Sequence, residues 1–324
     1  MARPAQRTAR EPPPGPRPPR AVPSARRDPE GPSTVNHAAT RARLRDILAG
    51  DACVAMASIY DPLSARIAGR LGCAAGLMGG STASLAVLGA PDLIVITLTE
   101  LAEQVRRCTR ASDVPLVVDG DHGYGNALNA MRTVGELDAA GAAAVSIEDT
   151  LLPRAFAAGD APQLVPLDEG VAKLEAAVAA RGRDGPAILG RTSAASLTGI
   201  EDAIARFTAY ESAGVDALMI PGLKARDDLD RIAAATRLPL VVGGVPAALA
   251  DPAWLAARRV RLWSGGHQSV NVAIQALHDA MRAVHEGTHP SRLPGIAAKE
   301  TIDALTAADD YAAHTRHFVA RRRP

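Results

Sequence analysis

Aromatic side chains make up only 3% of this 324-residue chain. Its core must therefore be assembled from Val, Leu, Ile and Ala, which suits tightly layered helices and strands. Cysteine is equally sparse. Cys53, Cys73 and Cys108 are an odd number without the paired short spacing of a zinc or disulfide framework, so they read as buried, reduced thiols of a cytoplasmic protein. No apolar run approaches the roughly 18 residues that cross a bilayer, and the first residues lack the apolar segment of a secretory signal. A soluble, intracellular protein without a membrane partner is expected. The formal net charge of +1 leaves no global field to recruit nucleic acid or anionic lipid. No GxGxxG follows the first apolar run, which counts against a dinucleotide-binding turn.

What is present begins with a contrast. Residues 1–36 are rich in Pro and Arg with almost no large apolar side chain, so they cannot bury enough surface to offset the entropy of ordering. A disordered arm is expected, read as a passive extension rather than a nucleic-acid-binding tail. Beyond it, short β-branched runs alternate with alanine-rich amphipathic stretches. Eight runs qualify as strands: Val54–Tyr60, Ala74–Met78, Pro115–Asp119, Ala144–Glu148, Ala187–Arg191, Ala217–Ile220, Pro239–Val242 and Val260–Trp263. Helical patterns between them include Pro62–Leu71, Leu98–Ala111, Ala127–Ala140, Asp168–Ala180, Ile200–Ala213 and Lys224–Ala235. The strands are continuously apolar, as in a parallel sheet covered by helices. Eight such units in roughly 250 residues predict an α/β fold, a TIM-type (β/α)8 barrel over 37–290. A C-terminal helical extension, 291–324, follows it. Within that extension Ala297–Val319 carries Ile302, Leu305, Tyr311 and Phe318 among polar residues, an amphipathic helix with a face to bury.

A barrel places its chemistry where strands end. The strongest local signal is PLVVDGDHGYGN, where an apolar strand ends in Asp119 and Asp121 and enters a loop containing Gly123 and Gly125. Carboxylates two apart on a strand end face the same side and supply hard oxygen ligands for Mg2+. Turn-capping aspartates are the plain alternative. Glu148 and Asp149 end the fourth strand, and Tyr60 and Asp61 the first, so acidic groups converge from three strands. Gathered carboxylates repel, and a divalent cation relieves that repulsion. Arg191 ends the fifth strand, where it can clamp a carboxylate bidentately, and His267 follows the glycine pair of WSGGH, where it can donate a hydrogen bond or relay a proton. GLMGGSTAS brings Gly79, Gly80 and Ser81 to the second strand end, with backbone N–H groups and a hydroxyl for an anionic oxygen.

Taken together, IYDPLSAR, MGGSTASLAVLGAPD, DGDHGYGNALNAMRTV and SIEDTLLP resemble the isocitrate lyase and phosphoenolpyruvate mutase superfamily over about residues 40–320. Within it, HGYGNALN, IEDTLLP, the RT strand end and the GGH turn are most similar to the oxaloacetate decarboxylase branch. The resemblance implies that Asp119 is a direct Mg2+ ligand and that Asp121 and Glu148 hold the ion through water. It implies too that Ser81, Gly80, Arg191 and His267 bind a small-molecule 2-oxo dicarboxylate. Asp119, Arg191 and His267 would be the catalytic set. The reaction implied is decarboxylation of oxaloacetate or a 3-alkyl relative to pyruvate or its homologue plus CO2, and homotetramers that exchange a terminal helix are implied as well.

Departures matter. LLPRAFAAGDAPQLVP, after the fourth strand, has no cysteine where lyases of the superfamily carry a catalytic one. Arg191, Thr192, Ser193 and Ala194 stand where RTNAE is usual, with Ser193 in the place of Asn, and VGGVP (Val242–Pro246) stands where a TYGNP segment is usual. Carbon–carbon cleavage of a substituted malate and phosphonopyruvate-type chemistry are the alternatives through the same enolate. A catalytically silent metabolite-binding barrel is the alternative of another class. A Schiff-base aldolase is disfavoured because Lys173, Lys224 and Lys299 fall in helical patterns.

Overall fold

A computed structural model describes residues 35–154, 156 and 161–320; the expected arm over 1–36 lies outside them except for its last two residues. Eight parallel strands pair in sequence order and close on themselves. They are β1 (Val54–Ser58), β2 (Ala75–Met78), β3 (Leu116–Asp119), β4 (Ala144–Glu148), β5 (Ala187–Arg191), β6 (Ala217–Pro221), β7 (Leu240–Gly243) and β8 (Val260–Trp263). Closure comes from β1 against β8, with Val54 opposite Leu262. The (β/α)8 barrel expected from the eight apolar runs is the observed fold.

Alternation along each strand divides the core into two layers. Met56, Leu77, Val117, Leu189, Met219, Val241 and Leu262 point inward and fill the barrel. Val118, Val145, Ile188, Leu218 and Val242 point outward beneath the helices. Helix α1 (His37–Ala49) has no counterpart in the helical patterns drawn from sequence. Its Leu44 and Leu48 join the inner cluster, so it plugs the barrel at the N-terminal end of the strands.

The surrounding helices are α2 (Pro62–Arg70), α3 (Gly80–Leu88), α4 (Leu98–Ala111), α5 (Ala127–Ala139), α6 (Leu167–Ala180), α7 (Ala194–Leu197), α8 (Ile200–Ser212), α9 (Arg226–Ala235), α10 (Pro252–Ala256) and α11 (Gln268–His285). Their starts are chemically specified. Thr97 and Glu100 form a capping box on α4, and Asn126 with Asn129 does the same on α5. Helix α4 buries Leu101 and Val105, each worth about 1.5–3 kcal/mol, together with Cys108. Burial also pushes the Cys108 thiol up to about 12, the condition of an unreactive packing residue. Cys53 and Cys73 are only partly buried, against the expectation that all three thiols are interior.

Beyond the barrel, the single helix expected over Ala297–Val319 is broken. It consists of α12 (Lys299–Thr306), α13 (Ala308–His314) and a π turn, Thr315–Val319. Ala307 adopts a left-handed conformation, φ 55°, which ends α12. The terminal carbonyls of α12 are not left bare: Arg66 and Arg70 of α2 donate to Leu305 and Ala304 at 3.0 and 2.9 Å.

Candidate active site

The mouth of the barrel is built by β3, β4 and β5. Asp119 is the last residue of β3 and faces inward, two positions above Val117 of the inner cluster. Its Oδ1 accepts from Ser146 Oγ at 3.2 Å and from the backbone N–H of Asp121 at 3.3 Å. Asp121 reaches the same mouth by another route than strand alternation. The strand has already ended, and a left-handed turn at Asp121, φ 48°, folds its carboxylate back. Glu148, the end of β4, fixes that turn by donating its N–H to the Asp121 carbonyl at 2.8 Å.

Arg191, at the end of β5, is where the charges meet. Its Nη1 donates to Asp119 Oδ2 at 2.5 Å, and its Nε lies 3.1 Å from Glu148 Oε2 without hydrogen-bond alignment. Burial alone would lower the Arg191 pKa, but the Asp119 and Glu148 carboxylates overcome it and hold the guanidinium above its ordinary value. Burial, then Asp119 and Glu148, raise Asp121 well above the usual carboxylate range, and burial raises Glu148 too.

Asp92, not among the residues selected from sequence, completes this set. It sits in the exposed segment after α3, and its pKa is raised by burial of its carboxyl and by Asp119. It stands in the segment GAPD, where a lone aspartate in a loop gives no periodic signal. Asp119 and Glu148 therefore face one guanidinium directly, with Asp121 and Asp92 within electrostatic reach of it, an excess of negative charge made of hard oxygen donors. That chemistry suits Mg2+, which keeps several waters and takes only one or two carboxylates directly. Among the described residues no three His, Cys, Asp or Glu side chains close on one point.

Two acidic residues expected in the mouth do not belong to it. Asp61 caps α2: its carboxylate accepts from Ser64 N–H at 2.7 Å, and Ser64 Oγ accepts from the backbone of Tyr60 and Asp61. This capping box ends β1 at Ser58, short of the expected Tyr60. Asp149 follows Glu148 and by alternation points outward, where Oδ2 accepts from Tyr210 at 2.6 Å and Arg206 at 3.0 Å. Both serve the scaffold.

The opposite wall carries His267, the N-cap position of α11. Its Nδ1 lies 2.6 Å from Ser58 Oγ, a partner the sequence reading missed because the two are 209 residues apart. Burial lowers the His267 pKa, with Asp119 partly opposing, so the ring is neutral at pH 7. Gly79 and Gly80 leave room for two of these side chains. A Cβ on Gly79 would stand 2.7 Å from His267 Nε2, and one on Gly80 would stand 2.6 Å from Asp121 Oδ1. Gly80 and Ser81 open α3, so their backbone N–H groups lack helical partners, and the Ser81 side chain is exposed. A cavity of about 380 Å3 lies beside this site rather than in it, lined by Ile94–Thr99, Tyr124, Asn129 and Arg132. Tyr124 is the wall between them, its hydroxyl 3.4 Å from Asp121 Oδ2.

The sequence profile of phosphoenolpyruvate phosphomutase matches residues 44–285, the whole barrel. The chain belongs to this family. Among members of the wider group, it is 61% identical over 280 residues to an oxaloacetate decarboxylase of Paraburkholderia xenovorans, spanning 86% of this chain and 94% of that one. It is 52% identical to an oxaloacetate decarboxylase of Rhodopseudomonas palustris over 87% of this chain and 98% of the relative. Among solved structures, a phosphonopyruvate hydrolase in complex with oxalate and Mg2+ superposes with a TM-score of 0.78 at 25% identity, over 86% of this chain and 99% of that one. The resemblance drawn from sequence motifs is thereby established at the family level.

Proposed function

We propose that this phosphoenolpyruvate phosphomutase family member is a Mg2+-dependent carboxy-lyase that converts oxaloacetate, or a 3-alkyl 2-oxo dicarboxylate, to pyruvate or its homologue and CO2. The observation that carries the reading is the gathering of Asp119, Asp121 and Glu148 around Arg191 in the barrel mouth. Support comes also from the 61%-identical relative named oxaloacetate decarboxylase.

Asp119 would hold the ion directly, and Asp121 and Glu148 through water. When bound there, Mg2+ supplies Lewis-acid polarisation of the 2-oxo group and charge stabilisation as the carboxylate departs. Arg191 binds a substrate carboxylate and keeps it in line with the acidic set. The N–H groups of Gly80 and Ser81, with the Ser81 hydroxyl, hold the other anionic end. His267 is kept neutral by burial and oriented by Ser58. In the tautomer where Ser58 donates to Nδ1, Nε2 carries the proton and donates a hydrogen bond to substrate oxygen. The C3–C4 bond breaks, its electron pair remains as the enolate, and a proton adds at C3. No covalent nucleophile takes part.

We also infer a cytoplasmic homotetramer. Helix α11 exposes Ile274, Leu277, Met281 and Val284 along one face, and of its 18 residues only Val270 is buried. An apolar stripe of that length needs cover, and a second copy supplies it. Among the described residues no helix is long and apolar enough to cross a membrane.

The test is a panel of 2-oxo dicarboxylates assayed for CO2 and pyruvate with and without EDTA. Release from oxaloacetate that EDTA abolishes and Mg2+ restores is expected. Release indifferent to EDTA, or cleavage without CO2, would overturn the reading.

A further inference from the structure

The inward-facing positions at the strand ends divide the mouth into two unlike halves. Counting two or four residues up from the inner cluster, β1 to β5 present Ser58, Gly79, Asp119, Glu148 and Arg191, whereas β6 to β8 present Pro221, Gly243 and Ser264. All the charge sits on one half. The other is lined by small residues over Met219 and Val241.

Gly243 is the informative member. A Cβ on Gly79 or Gly80 would press on the ends of the His267 and Asp121 side chains. A Cβ on Gly243 would meet only Met219 Cε, at 3.6 Å, which is ordinary van der Waals contact. Its backbone does not demand glycine either, since Gly243 is absent from the residues of positive φ. Gly265, beyond β8, has nothing within 4 Å of its Cβ position. Neither sterics nor conformation excludes a side chain at 243. What the glycine does is leave room above the Met219 thioether, on the half of the mouth whose strand ends carry no charge.

We propose that Gly243 opens an apolar subsite for a small alkyl substituent on the carbon that loses CO2. The substrate class is then a C3-branched 2-oxo dicarboxylate rather than oxaloacetate alone. This rests on the decarboxylase reading above. The step remains balanced: the C3–C4 bond breaks, CO2 leaves, the electron pair stays on the enolate, and a proton adds to the branched C3. Met219 Cε and Pro221 supply the contact surface, and no charged side chain projects from β6 to β8 at this level. A methylene that finds room in such a wall is worth roughly 10-fold or more in kcat/KM.

The experiment compares full-length wild type, Gly243→Ala and Gly243→Val on oxaloacetate, 3-methyl-oxaloacetate and 3-ethyl-oxaloacetate, with CO2 release as readout. Wild type is expected to process the alkylated substrates at least as efficiently as oxaloacetate. In Gly243→Val, kcat/KM for the 3-ethyl substrate should fall at least about 10-fold further than for oxaloacetate. Gly243→Ala should give a smaller discrimination, greater for ethyl than for methyl, and decides the matter alone if the valine variant does not fold. Equal ratios in all three proteins, or rejection of alkylated substrates by wild type while oxaloacetate is consumed, would overturn the subsite. CO2 from none of the three substrates would instead overturn the decarboxylase reading on which it rests.

Discussion

Arg191 and Asp119 are paired directly, nitrogen to oxygen at 2.5 Å, so the residue proposed to clamp substrate and the residue proposed to hold the ion neutralise one another. Glu148 stands on the other side of the same guanidinium, 3.1 Å away. The pair keeps charge in the mouth from being stranded, and it ties ion binding to substrate binding through one side chain.

Asp119→Ala should remove nearly all turnover and Mg2+ affinity while the barrel stays folded, because Glu148 still faces Arg191. A loss of at least roughly 10^3-fold in kcat is expected, since the charge stabilisation removed is several kcal/mol and each 1.36 kcal/mol is tenfold. Titration calorimetry with Mg2+, steady-state CO2 release and a thermal melt check it. Retained metal affinity, or a collapsed melt, contradicts it.

Ser58→Ala should lower kcat/KM by a few-fold to about 10-fold, the worth of one neutral hydrogen bond that orients His267. Ser58→Thr restores the hydroxyl and should recover most of the loss. If alanine and threonine behave alike, the Ser58–His267 contact does not orient the ring.

The Asp149 cluster should behave as scaffold. Tyr210→Phe removes the 2.6 Å bond to Asp149 and should cost about 1 kcal/mol of unfolding free energy. Asp149→Ala leaves Arg206 with Asp202 and the Val165 carbonyl as its remaining partners and should cost about 1–3 kcal/mol. Denaturant melts measure both. A large fall in kcat of Tyr210→Phe at unchanged stability would return Asp149 to the active site.

Replacing Leu277 and Met281 together by Glu puts two charges on the exposed stripe of α11. Light scattering should show the assembly breaking into smaller species. A full-length protein that is monomeric before substitution, or a variant that remains assembled, refutes the interface.

Much of the scaffold is legible in local pattern. The strand from Ala144 to Glu148 and that from Ala187 to Arg191 have the ends expected of their apolar runs, because a strand buried on both faces must be apolar throughout and stops where polarity begins. Asp119 and Arg191 were legible for the same reason: each is the first charge after such a run. Asp61 satisfies the same rule, and Asp149 stands one residue beyond it, yet neither enters the mouth. Charge at a strand end does not say whether the side chain turns into the mouth, caps the next helix or faces the outer layer.

Sequence by itself therefore determined the number and order of βα units, because alternation of apolar runs and amphipathic helices is a local property of the chain. Closure of the barrel then determined which distant groups meet. Ser58 and His267 are 209 residues apart in the chain yet touch, because β1 pairs with β8. Asp121 enters the mouth by a left-handed turn that no periodicity announces. The empty wall at Gly243 exists only as the distance from an absent side chain to Met219, a quantity fixed by how β6 and β7 lie against each other.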